Sequence, residues 1–168
     1  MTSGPPDHPI AQERRTSLWR YVTAKEAYDM WQADLDLKIL GCRTPEEYVF
    51  VGHPPMAVNI PFAFQSFEWD AERQGFRRDL NPEFMSAVTR WARTDETILV
   101  SCRSGGRAAM AIEVMAKAGF TKAYNLLDGM EGAQGQGSRK RLRWHAHEER
   151  LEELRTALDV RARSRTAR

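Results

Sequence analysis

The chain is poor in cysteine. Its 168 residues contain two, Cys42 and Cys102, too few for the disulfide framework of a small secreted domain. Long hydrophobic runs are also missing. No stretch approaches the roughly 20 apolar residues of a membrane-spanning helix. The N-terminal MTSGPPDHPIAQERR has no apolar core of the signal-peptide kind. A mean hydropathy of −0.59 agrees, so the expectation is a soluble protein of the reducing cytoplasm, where a cysteine is a reagent more often than a staple. Charge of one sign is missing as well: 25 Lys and Arg against 23 Asp and Glu leave +2, which is no global nucleic-acid footprint.

That near-neutral total hides an uneven distribution. Residues 138–168 hold ten basic and five acidic side chains, so a net −3 body carries a +5 tail. The composition suggests three parts: a Pro- and Gly-rich disordered segment 1–17, a folded domain 18–133, and a tail 134–168. The tail consists of a glycine-rich linker and a basic helix with Trp144, Leu151, Leu154 and Leu158 on one stripe. The stripe is read first as a docking face onto its own domain. A protein partner held by the basic helix is the alternative, and neither a nucleic acid nor a membrane is expected.

Within the body, strand and helix signals alternate. Arg20–Val22 reads as a short strand, and Thr23 with Glu26 as a capping box for a helix to about Gln32. A strand at Leu37–Leu40 follows. Thr44-Pro45-Glu46-Glu47 is a helix start with a cap, proline in the first turn and acids behind it. Ala57–Ile60 is the next strand, and 64–78, aromatic but without a clean period, reads as a surface excursion. Asn81-Pro82-Glu83 opens a helix to about Trp91. Thr97–Ser101, apolar and β-branched, has the look of a central strand buried on both faces. A helix follows, with a Glu113–Lys117 pair and Gly119 as its C-terminal cap, and then a strand at Ala123–Leu126. The alternation implies an α/β domain with a mostly parallel sheet.

The chemistry concentrates in Cys102-Arg103-Ser104-Gly105-Gly106-Arg107, between the central strand and a helix start. Ligands of open α/β sheets bind at the carboxyl ends of the strands. A tight loop there turns its N–H groups inward, and the helix adds its positive end. Two glycines permit positive φ angles, and two arginines add charge. This setting favours a thiolate on Cys102, the candidate nucleophile. Filling a core with two glycines and two arginines in five positions would be a poor alternative use of the segment.

Three segments in order resemble the rhodanese family of single-domain sulfurtransferases: GCRTPEEYVFVGHPPMAVNIP, the CRSGGR loop and YNLLDGMEG, spanning about Leu18 to Gly132. The resemblance implies a rhodanese-like three-layer sandwich with helices on both faces of a central, mostly parallel sheet. It implies a thiosulfate sulfurtransferase in which Cys102 takes a sulfane sulfur from a small anionic donor as a persulfide and passes it to cyanide or a thiol. Arg103 and Arg107 are then the candidates to hold the donor, residues Arg103, Ser104, Gly105, Gly106 and Arg107 supply the cradle, and no metal or organic cofactor is implied. The related phosphatases and arsenate reductases have a loop one residue longer, with histidine before the cysteine. Here four residues separate Cys102 from Arg107, and Ser101 precedes the cysteine. A non-catalytic interaction module on the same scaffold is the other alternative.

Two positions depart from the family pattern: Gly41 stands where aspartate is frequent, and Ala133 where tryptophan is. Cys42 is read as an inert bystander, with a resolving thiol as the alternative, and His53 as a structural residue of a Gly-His-Pro turn. Arg43 and Glu47, four apart, are expected either to pair or to face solvent.

Overall fold

The computed structural model describes residues 10–72, 74–127 and 129–130. The chain runs β1 (Tyr21–Val22), α1 (Ala24–Ala33), β2 (Lys38–Gly41), α2 (Pro45–Val51), β3 (Ala57–Asn59), β4 (Ala63–Asp70), β5 (Gly75–Leu80), α3 (Phe84–Trp91), β6 (Ile98–Ser101), α4 (Gly106–Lys117) and β7 (Ala123–Leu126). The tail helix and Ala133 lie outside the described residues.

Five strands form one sheet in the order β1-β7-β6-β2-β3, every pair parallel. β6 lies at its centre with all four residues buried, as a continuous apolar strand should. The pleat sends alternate side chains to opposite faces. Leu40, Ile98 and Val100 join Val88 of α3 and Ile112 and Met115 of α4 in one core, while Ile39 and Leu99 join Ala27 and Trp31 of α1 in the other. Helices therefore cover both faces, and the fold is a three-layer α/β sandwich.

The local signals act as their chemistry requires. Thr23 caps α1 and Thr44 caps α2, each in a reciprocal capping box with Glu26 or Glu47. Gly119 closes α4 at φ +93°, in the left-handed region that favours glycine. The Glu113 carboxylate accepts the Ser17 N–H at 2.5 Å, instead of serving only its own helix. It thereby fastens part of the segment that composition assigned to a disordered tail. Residues 12–14 of that segment form a short 3-10 turn. Thr16 is buried.

The surface excursion is an antiparallel hairpin, β4 with β5, separate from the main sheet. Trp69 lies opposite Phe76, with ring centroids 5.4 Å apart and edge to face. Glu68 and Arg77 form an ion pair at 2.7 Å, and Phe67 is 97% exposed. The root is clasped by Asn81, whose N–H donates to the Phe62 carbonyl at 3.0 Å and whose Nδ2 donates to the Pro61 carbonyl at 2.8 Å.

Candidate active site

Cys102 directly follows β6 and precedes α4, so the central strand delivers its sulfur to the carboxyl edge of the sheet. The side chain is 1% exposed. The Gly105 N–H donates to Sγ at 3.1 Å. Gly105 achieves this at φ +92°, and a Cβ there would meet the Leu127 carbonyl oxygen at 2.8 Å, so this glycine is required twice over. From beneath, Asn125 holds the loop. Its Nδ2 donates to the Gly105 carbonyl at 3.1 Å and to the Arg14 carbonyl at 3.0 Å. The Met130 N–H donates to the Cys102 carbonyl at 2.9 Å.

The second cysteine is adjacent to the first. β2 and β6 run in register to Gly41 opposite Ser101, and the Cys42 N–H continues the ladder to the Ser101 carbonyl at 2.9 Å. Cys42 and Cys102 thus leave neighbouring strands at the same level and on the same face, both inside one core. A hydrogen bond from the Cys42 thiol acts on the Cys102 sulfur. This hydrogen bond is the largest influence on Cys102. It outweighs burial, and with the amides of Ala108 and Ser104 and the charge of Arg107 it lowers the thiol to about 5. Cys42 is pushed well up, by that same hydrogen bond, by burial and by the neighbouring negative sulfur. The two shifts run in opposite directions, down for Cys102 and up for Cys42.

A depressed acid is charged above its own pKa, so the sign of the pH dependence follows. The rate of Cys102 alkylation by iodoacetamide should stay level from neutrality down to about pH 6 and fall by half near pH 5. An ordinary thiol would lose rate throughout that range.

Arg107 contributes its charge in a different manner from the one anticipated. Its guanidinium forks onto Glu47, with Nη1 to Oε2 at 2.5 Å and Nη2 to Oε1 at 2.7 Å, and its side chain is 12% exposed. Burial pushes the Glu47 carboxyl up, but the Arg107 hydrogen bonds and charge hold it below its ordinary value. Arg78 of the hairpin approaches the same carboxylate at 4.0 Å. Arg107 is therefore oriented by Glu47, and its field reaches Cys102, while Arg103 stands exposed on the rim and Ser104 and Gly106 are part-buried beside it. Arg43 does not face solvent: it is 1% exposed and donates to the Gly52 carbonyl. Glu47→Gln would keep the side-chain shape and lose the charge. It should cost about 1.5–3 kcal/mol on a urea melt.

Gly41 is faced by the Tyr48 ring, with Cε2 3.1 Å from where a Cβ would stand. The aromatic ring thus fills the space an aspartate side chain would need. Tyr48 also stacks on His53 at 3.6 Å, and its carbonyl meets His53 Nδ1 at 2.9 Å, which gives His53 a structural place. Sequence reasoning singled out Cys102 and its loop but not Asn125 or the contact between Glu47 and Arg107. The only signal for the last was its place in the capping box. Among the described residues no cluster of ligating side chains could hold a metal ion, and no helix is long and apolar enough to cross a membrane.

A buried cysteine sulfur at the end of a central parallel strand, cradled by the loop that starts the next helix, defines a cysteine-loop α/β domain. The rhodanese-like domain matches residues 23–136, and the chain belongs to that family. It is 31% identical over 120 residues to the senescence-associated protein DIN1 of Raphanus sativus, covering 71% of this chain and 60% of that one. It is 32% identical over 92 residues to thiosulfate sulfurtransferase 16, chloroplastic, of Arabidopsis thaliana, covering 55% of this chain and 69% of that one. Against other relatives the chain spans about half of their length. A crystal structure of an M. tuberculosis protein superposes with a TM-score of 0.54 at 26% identity, covering 69% of this chain and 85% of that one.

Proposed function

We propose that the protein is a sulfurtransferase of the rhodanese type, working through a persulfide on Cys102. The observation that carries this reading is the acidified, cradled sulfur: Cys102 is lowered to about 5 and accepts the Gly105 N–H at 3.1 Å. The thiolate attacks the outer sulfur of thiosulfate or a related anionic donor. The sulfur–sulfur bond of the donor breaks, sulfite leaves with its electron pair, and Cys102 carries the sulfane sulfur. Cyanide or a thiol then removes it and restores the thiolate, a double displacement. Residues 103–107 supply the amides that face the outer sulfur. Arg103 on the rim steers the anion, and Arg107, fixed by Glu47, contributes its field.

Four residues between Cys102 and Arg107 make a cradle suited to one sulfur atom, which favours sulfur transfer over phosphate or arsenate chemistry. Family membership and the likeness to a thiosulfate sulfurtransferase support the same reading. An interaction module would have no use for an acidified cysteine, so that alternative ranks second. Two free cysteines suit a reducing compartment such as the cytoplasm. The test is the intact mass of a Cys42→Ser variant after incubation with thiosulfate. A sulfur-sized increment mapping to Cys102 is expected. No increment with thiosulfate, an organic persulfide or mercaptopyruvate would overturn the reading.

A further inference from the structure

Cys42 neither attacks the donor nor carries sulfur in the transfer just described, yet it is fully buried in the same core as Cys102. Its place is set by the sheet. The β2–β6 ladder ends at Gly41 opposite Ser101 and is extended by the Cys42 N–H to the Ser101 carbonyl at 2.9 Å. The Phe62 N–H donates to the Cys42 carbonyl at 3.2 Å, which fixes the far side. Neighbouring strands lie about 4.8 Å apart. Disulfides bridge Cα atoms separated by roughly 4.4–6.8 Å, so matched positions on adjacent strands and on one face fall within the main-chain spacing a disulfide spans. Both cysteines lie in one core.

We propose that Cys42 resolves the sulfur-loaded form of Cys102, forming an internal Cys42–Cys102 disulfide and releasing the carried sulfur as hydrosulfide. The proposal rests on the sulfurtransferase reading and adds a second fate for its intermediate. In the loaded form Cys102 is bonded to the sulfane sulfur, which carries the negative charge. Cys42 gives up its proton and attacks the inner sulfur. The bond between the inner and outer sulfurs breaks, the outer sulfur leaves with the electron pair and takes the proton, and HS⁻ departs. The two cysteines are oxidised to a disulfide and the sulfane sulfur is reduced to sulfide, so charge and electrons balance without an external oxidant. A dithiol then reduces the disulfide and returns the thiolate–thiol pair. With cyanide or a thiol in excess the outer sulfur is taken first; with a dithiol as the only acceptor the chain becomes a sulfide-releasing enzyme.

Burial supports this order of events. Cys42 keeps its proton mainly because it donates to an anionic Cys102, with burial and the charge of that sulfur adding to the effect. Converting the Cys102 sulfur into one half of a sulfur–sulfur bond removes the anionic acceptor and the adjacent charge, while Arg107 still favours the Cys42 thiolate. The resolving thiol is thus restrained in the resting state and released by loading.

The experiment uses the full chain, reduced and freed of reductant, mixed with a stoichiometric amount of thiosulfate. Wild type should release close to one equivalent of sulfide, lose the mass of two hydrogens, and yield a peptide pair joining Cys42 to Cys102. Cys42→Ser should keep the sulfur increment on Cys102 and release no sulfide. A wild type that retains the sulfur increment, with no sulfide and no joined peptide, overturns this proposal alone and leaves the transfer reading intact. Absence of any adduct in both proteins overturns the two together. If Cys42→Ser does not fold, sulfide yield and peptide mapping of the wild type decide.

Discussion

Replacing Cys102 by serine should reduce thiocyanate formation from thiosulfate and cyanide at least about 10⁴-fold, to the rate without protein. The size follows from what the site does to sulfur and cannot do to oxygen. Donated hydrogen bonds and the charge of Arg107 lower the thiol to about 5, so nearly all of the protein is already ionised at neutral pH. A serine hydroxyl starts many units higher, and no base stands ready to take its proton. Oxygen also forms no stable bond to sulfane sulfur, so even a slow attack would leave nothing to pass on. The fold should survive, because serine has nearly the same shape and can still accept the Gly105 N–H at the position of Sγ. A thermal melt within a few degrees of wild type, together with lost activity in a ferric thiocyanate assay, is the expected pair of results. Retention of a tenth of the activity would remove Cys102 from the nucleophile's role.

Gly129→Ala should produce the second-largest loss, without touching a reacting atom. Gly129 sits at φ +55°, where a Cβ is strained. That Cβ would also stand 2.5 Å from the Arg103 carbonyl carbon and 2.6 Å from the Ser104 nitrogen, and closer still to the Arg103 oxygen. These are main-chain atoms of the cradle and cannot rotate away. The loop must shift, and its amides with it. A displacement on the order of 1 Å of positioned groups costs about 10²-fold, so kcat/KM should fall by at least that factor. Stability should drop by about 2–4 kcal/mol. Gly119→Ala is the matched control. It has φ +93°, but a Cβ there meets only the Thr94 methyl at 3.7 Å. It should cost about 1 kcal/mol in a urea melt and leave kcat/KM unchanged. Equal activity losses in the two variants would show that strain alone, and not the approach to the cradle, is responsible.

The contrast between what the sequence revealed and what it hid has a physical basis. Both capping boxes, the central strand and the cysteine loop are written in residues within about five positions of each other, so local chemistry suffices to find them. The hairpin escaped because strand recognition relies on one face being buried. Neither face of β4–β5 is, and the pairing shifts register between Gln65 and Trp69. Glu47 was matched to Arg43 on helical spacing, whereas its forked partner comes from α4, 60 positions away. Cys42 was judged alone because a strand's register with a parallel neighbour is fixed only when the crossover helices pack. Nothing near Cys42 in sequence announces Cys102.

Glu47 joins two tasks that are usually separate. The same Oε2 that accepts the Thr44 N–H, closing the first turn of α2, also receives Nη1 of Arg107. Local opening of that turn therefore releases the guanidinium whose field acts on Cys102, and the helix end and the charged wall of the cradle form one cooperative unit. Any anion that draws on Arg107 competes with Glu47 for the guanidinium. The occupancy of the cradle is thus written into the opening equilibrium of the helix that follows the neighbouring strand, and the amide protons of that first turn report on what the cysteine loop holds.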